Sequence, residues 1–213
     1  MIRAPRFVFA SDSFKGTLSS RKTAVLLEEA ARRHFPDCAC VAVPMADGGE
    51  GTTEAVADAC GGEVVSAHVH DPLGRPLVAN YAVLPGGRAV VEVAAASGLP
   101  LLTDAERDPR LTSSYGTGEL IADALVRGCV DITIALGGSA TNDGGMGCAR
   151  ALGVRFLDGE GKELGGCGAD LGRVGTIDAS GLDPRVAAAS FHAMCDVDNP
   201  LVGPGGASFV FGP

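Results

Sequence analysis

The sequence predicts an α/β fold in which a parallel strand-loop-helix layer is joined to a second, mixed segment with antiparallel strands. Two stretches carry that expectation. The apolar run Phe7 to Ala10 gives way to Ser11-Asp12-Ser13, and behind Ser19 or Ser20 a helical spacing continues through Ala24, Leu27, Ala31 and Phe35. Val41 to Pro44 repeats the order, with a glycine-rich loop over Ala46 to Gly51 and a helix over Thr52 to Cys60. The period then changes, and Glu63–His70, Leu77–Leu84 and Arg88–Ala94 read as three strands joined by Asp71-Pro72-Leu73-Gly74 and Pro85-Gly86-Gly87, a short antiparallel meander.

Beyond an irregular stretch near Asp104 to Arg110, Leu120, Ile121, Ala124 and Leu125 mark a helix that Gly128 stops, and Asp131 to Leu136 reads as a buried strand. The loop Gly137 to Gly147, a short helix closing at Gly153 and a strand from Val154 to Asp158 follow. Gly165 to Gly175 has no clear period, and Phe191 to Val197 reads as a last buried strand.

The bulk composition narrows the function. With 213 residues and 46% hydrophobic content the chain can fill a core, and its formal charge of -9 leaves no basic stripe for a nucleic-acid backbone. Seven scattered cysteines, none spaced C-x-x-C, support neither a disulfide framework nor a zinc site. The first residues are too few and too polar for a signal sequence, and no apolar run reaches the length of a membrane span, so a soluble, cytoplasmic protein is expected.

The 31 glycines gather in loops at predicted strand tips, where ligands bind in an open parallel sheet. Four loops stand out: Ser11 to Thr17, Met45 to Thr52, Gly137 to Gly147 and Asp196 to Gly206. Small residues let backbone N–H groups approach an anion, and each loop adds a carboxylate. Phosphoryl transfer needs such donors, a cation, carboxylates for magnesium and an acceptor for the hydroxyl proton. Lys15 is the candidate cation; Asp47, Asp143, Asp196 and Asp198 are the carboxylates; Ser139, Thr141 and Asn142 can donate to phosphate oxygens. Neither G-x-x-x-x-G-K-[ST] nor a full G-x-G-x-x-G is present. Taken singly, each loop has a plainer reading: the glycine pairs as turns, Asp47 or Asp143 as a helix cap, Lys15 as a solvated side chain. His34, His68, His70 and His192 have no motif around them, and His68 and His70 share one face of a strand, expected to be solvated.

Seven segments in order resemble the glycerate kinase family: Ala10 to Ser19, Pro44 to Thr52, Pro72 to Pro76, Ala94 to Leu99, Thr112 to Ile121, Leu136 to Gly145 and Cys195 to Leu201. The resemblance implies an enzyme dependent on ATP and magnesium that phosphorylates D-glycerate to 2-phosphoglycerate or, in some members, 3-phosphoglycerate. It implies a Rossmann-like domain, discontinuous over residues 1–62 and 112–213, with residues 63–111 as the antiparallel segment of an inserted second domain. Lys15, Asp47 and Asp196 are carried over as catalytic groups. Gly137, Gly138, Ser139, Thr141, Asn142 and Asp143 are carried over as nucleotide contacts, Asp196 and Asp143 as magnesium ligands, and Arg75, Ser13 and Asn199 as glycerate contacts. Members run on past the segment resembling Ser208 to Pro213, which implies a chain truncated there, with a strand ending at Phe211. A non-catalytic phosphate-binding fragment is the alternative, and a homodimer is left open.

Overall fold

The computed structural model describes residues 4–12, 14, 17–43, 45, 48–49, 51–195 and 197–212. The expected strand-helix-strand unit opens the chain as β1 (Arg6–Phe9), α1 (Ser20–His34) and β2 (Ala39–Ala42), the two strands pairing in parallel with Phe7 opposite Cys40. Ser19 is the N-cap of α1, its hydroxyl accepting from Lys22 N at 3.2 Å. Then come α2 (Thr52–Cys60), β3 (Glu63–His70), β4 (Pro76–Leu84), β5 (Arg88–Glu92), α3 (Val93–Ser97) and α4 (Tyr115–Val126). The remainder is β6 (Asp131–Ala135), α5 (Met146–Ala151), β7 (Arg155–Leu157), β8 (Thr176–Asp178), α6 (Pro184–Ala188), β9 (Ser190–Met194) and α7 (Ala207–Phe211).

The main sheet has the order β3-β4-β5-β6-β9; its first three strands are antiparallel, and β6 and β9 continue it in parallel. The meander and the parallel strands therefore share one hydrogen-bonded sheet, joined between β5 and β6, across the 111/112 boundary that the sequence suggests. Alternating residues serve opposite faces. Ala79, Tyr81, Ala89 and Val91 pack against Leu120, Ile121, Ala124 and Leu125 of α4, whereas Ala82, Leu84 and Val90 pack against Ala57 of α2. A smaller core joins Met146, Phe156 and Leu164 beneath the β7–β8 pair.

Three segments depart from the expected pattern, the first being the last strand, expected buried over Phe191–Val197, which is β9, ends at Met194 and is mostly exposed. Arg88–Ala94 stays extended only to Glu92, because Val93-Ala-Ala-Ala-Ser97 is rich in alanine, the strongest helix former, and turns into α3. The strand expected at Phe211 is instead the helix α7; with no strand beside it among the described residues, its backbone closes locally, Phe209 N and Val210 N both donating to Gly206 O. Both strand histidines keep solvent-exposed side chains, and His70 also meets Glu119 through its backbone N–H at 2.7 Å and through Nδ1 at 2.9 Å. No helix among the described residues is long and apolar enough to cross a membrane.

Tyr81 has no exposed surface, and its hydroxyl donates to Asp123 Oδ2 at 2.6 Å, an oxygen that also accepts from Arg127 Nε at 2.7 Å. Burial, reinforced by the Asp123 charge, raises the phenol well above its ordinary range, so the donor is always present. Tyr81→Phe is expected to cost about 1.5 kcal/mol, seen as a lower urea midpoint at unchanged slope; an unchanged midpoint would contradict the bond's contribution.

Candidate active site

The loop after β6 is the centre of the site. Gly137 N donates to Gly48 O at 3.1 Å, and a Cβ on Gly137 would lie 2.8 Å from Gly49 Cα and 2.9 Å from Gly48 O. The two glycine loops thus meet backbone to backbone. Gly48, at φ +91°, faces Met194 at the end of β9, where a Cβ would meet the methionine Cγ at 3.2 Å. On the other side Leu99 N donates to Gly138 O at 3.0 Å and Ala140 N to Ser97 O at 2.8 Å, so the turn after α3 clamps the same loop.

The remaining loops join this rim. Ser20 Oγ donates to Ser11 O at 2.6 Å and accepts from Met45 N at 3.1 Å, tying the loop after β1 to the loop after β2. Ser208 Oγ donates to Asn142 Oδ1 at 3.1 Å, tying the start of α7 to the central loop. Asn199 braces the last loop, its Nδ2 donating to Gly205 O at 3.1 Å. Four loops distant in sequence are therefore neighbours in space. Ser13, Lys15, Asp47 and Asp196 belong to these loops but lie outside the described residues.

Within the central loop the side chains divide by role. Ser139 Oγ and Thr141 Oγ1 sit 3.0 Å apart, half-buried, and Thr141 N donates to Ser139 Oγ at 3.2 Å. Asp143 is buried, Oδ2 accepting from Ser114 N and Ser114 Oγ, both at 2.8 Å, and from Gly147 N at 3.1 Å, while Oδ1 accepts from Gly145 N at 2.9 Å. Four donors on one carboxylate make Asp143 the organiser of the turn into α5, a role close to the cap reading. Arg75, expected at a substrate carboxylate, is occupied within the protein: Nε donates to Asp71, Nη1 to Glu106 Oε1 at 2.7 Å and Nη2 to Leu101 O at 3.1 Å. It staples its own turn.

A cavity of about 770 Å³ opens beside these loops, lined by Thr17, Ser20, Thr53, Asn80 and Glu92 together with apolar side chains such as Leu77. Glu92 is a residue that sequence reading passes over. It is 6% exposed, and burial, with a smaller contribution from the Glu54 charge, raises its carboxyl above the usual range against the hydrogen bond from Thr53 N. A charged residue ending the apolar run Ala89-Val-Val is the signal that could have found it, since buried carboxylates rarely occur without a partner.

Two outcomes follow from this geometry. Gly137→Ala is expected to lose about 2 kcal/mol or more in chemical denaturation, because the added methyl meets backbone that cannot give way. Gly159→Ala, with nothing within 4 Å, serves as the neutral comparison. Cys148 beside Asp143 is pushed up to about 12 by burial and then by that charge, so at pH 8 its thiolate fraction is on the order of 10⁻⁴. Iodoacetamide should modify the exposed Cys60 and Cys195 and spare Cys148 until the protein unfolds; early labelling of Cys148, read by mass spectrometry, would contradict that.

The sequence model of the glycerate kinase family matches residues 7–213. The chain is 48% identical over 209 residues to glycerate 2-kinase of Escherichia coli K12, covering 98% of this chain and 55% of that protein. Over the same length and coverage it is 46% identical to glycerate kinase of Bacillus subtilis 168. A crystal structure named for a putative glycerate kinase 2 of Salmonella typhimurium LT2 superposes with a TM-score of 0.85 at 46% identity, covering 99% of this chain and 57% of that one. The chain thus spans about 55% of the length of these curated relatives. Matched along almost all of its own length, it belongs to the glycerate kinase family.

Proposed function

We propose that this protein takes part in transfer of the γ-phosphoryl group of ATP to D-glycerate, giving ADP and 2-phosphoglycerate. The observation that carries the reading is the backbone contact of the 137–145 loop with the 48–51 loop, which gathers small-residue turns of the family's sequence into one rim. Relatives named glycerate kinase, and one named glycerate 2-kinase, support the substrate and the position phosphorylated.

In this reading the backbone N–H groups of Gly138, Ser139 and Asn142 and the Ser139 and Thr141 hydroxyls face the phosphates, while those of Gly137, Ala140 and Thr141 hold the loop in place, and Lys15 supplies the positive charge. Asp196 accepts the proton of the attacking hydroxyl or holds magnesium, and Asp47, in the second glycine loop of the sequence, is the other catalytic carboxylate. Magnesium binds one or two carboxylates together with phosphate oxygens rather than a closed protein cage, and would neutralise charge on the transferring group. The exposed carboxylate of Asp198 suits that donor chemistry, whereas the lone pairs of Asp143 are already engaged by four protein donors. The cavity beside the loops offers room for the acceptor, with Thr17, Ser20 and Asn80 among its polar lining; Ser13 and Asn199 remain the glycerate contacts that the family resemblance implies.

Phosphorus NMR of the protein with D-glycerate and Mg-ATP is expected to show ADP and 2-phosphoglycerate. Asp196→Asn is expected to lower turnover by about a thousandfold with unchanged circular dichroism. Calorimetric binding of ADP without any phosphoglycerate would instead establish a nucleotide-binding protein that does not catalyse the transfer.

A further inference from the structure

The N-terminus of α2 is built without a cap of its own. Gly51, at φ +92°, occupies the N-cap position and has no side-chain oxygen to offer, so the first-turn N–H groups must find acceptors elsewhere. Thr52 N turns back to Gly49 O at 3.3 Å, as does the Thr52 hydroxyl at 2.7 Å. Thr53 N is met from across the fold, donating to Glu92 Oε1 at 2.5 Å. Glu92 ends β5, the central strand of the main sheet, and the backbone that follows it packs on the other glycine loop: Ala94 lies against Gly138, and Ser97 O receives Ala140 N. The end of β5 and the short helix α3 that follows it therefore hold both loops, the 137–140 turn through Ser97 O and the 48–52 turn through the Glu92 carboxyl.

We propose that Glu92 is a positioning residue for phosphoryl transfer: by capping α2 it fixes the 48–52 turn against Gly137, and so sets the register of the two glycine loops that cradle the phosphates. The inference rests on the reading of those loops as the triphosphate site. A carboxylate is the right group, because it accepts from the free N–H and complements the positive end of a nine-residue helix. Its burial in the cavity wall fits a residue that faces the site without being a surface charge.

The test compares wild type, Glu92→Gln, which keeps an acceptor but not the charge, and Glu92→Ala, which keeps neither. Kinetics with Mg-ATP and D-glycerate are read beside ADP affinity by calorimetry and the thermal midpoint. Positioning predicts a graded series, with KM for ATP and Kd for ADP rising about tenfold in Glu92→Ala and about threefold in Glu92→Gln. KM for glycerate should change less. A lowered midpoint with unchanged nucleotide constants in the folded variants would overturn the proposal while leaving the kinase reading intact. Wild type that binds ADP but transfers no phosphoryl group would overturn the kinase reading, and the ADP series alone would then decide the role of Glu92. Wild type that binds no ADP would overturn both, and should Glu92→Ala fail to fold, the threefold change in Glu92→Gln remains decisive.

Discussion

Everything at the candidate site depends on one steric fact: the backbone of Gly137 lies against that of Gly48 and Gly49 with no space for a carbon between them. Two loops that leave different sheets can converge on one ligand only if they come this close, and only paired glycines permit it. Once they touch, neighbouring elements become braces. The turn after α3 holds the 137–140 loop by two backbone bonds, Asp143 ties that loop to Ser114 ahead of α4, and Glu92 holds α2 from the opposite side. The rim is thus assembled mostly from main-chain contacts, which fix geometry without demanding particular side chains.

That construction suits an anionic ligand on an acidic chain. With a net charge of -9, long-range attraction is not what would bring a triphosphate to this surface. Several arginines are also neutralised at home: Arg75 by Asp71 and Glu106, Arg173 by Asp158 and Asp170, Arg155 by Glu163 and Asp178. Local N–H dipoles at glycine turns can favour phosphate at short range where the overall field does not.

Much of the architecture was legible from periodicity. The helix Thr52–Cys60 and the strand Glu63–His70 lie where their spacing puts them, and Ser19 caps α1 as its position before the helical pattern suggests. Short elements were less legible, because β8 and α6 span only three and five residues and are held by tertiary neighbours rather than by a pattern of their own. The pairing of β5 with β6 was hidden for a different reason, since 38 residues lie between Glu92 and Asp131 and strand neighbours at that separation leave no local trace. At the site, composition located the loops but not the roles within them. Asp143 and Arg75 look like ligand groups as letters and are satisfied by Ser114 and Asp71 as atoms. Glu92, placed in a strand by its neighbours, becomes visible as an acceptor only from the N-terminus of α2, where Gly51 offers no side-chain cap.

The opening β1–α1–β2 unit is built more lightly than the five-stranded sheet that its loops adjoin. Val8 and Val41 stay exposed on its two short strands, and α1 buries only Thr23 and Ala24. Half of the ligand rim thus stands on a rigid footing, while the other half, tied by Ser20, rests on a unit with little apolar anchorage. If the rim holds a nucleotide as proposed, ordering that softer half on capture would subtract from the affinity, and changes in the hydrophobic face of α1 would tune how tightly the ligand is held.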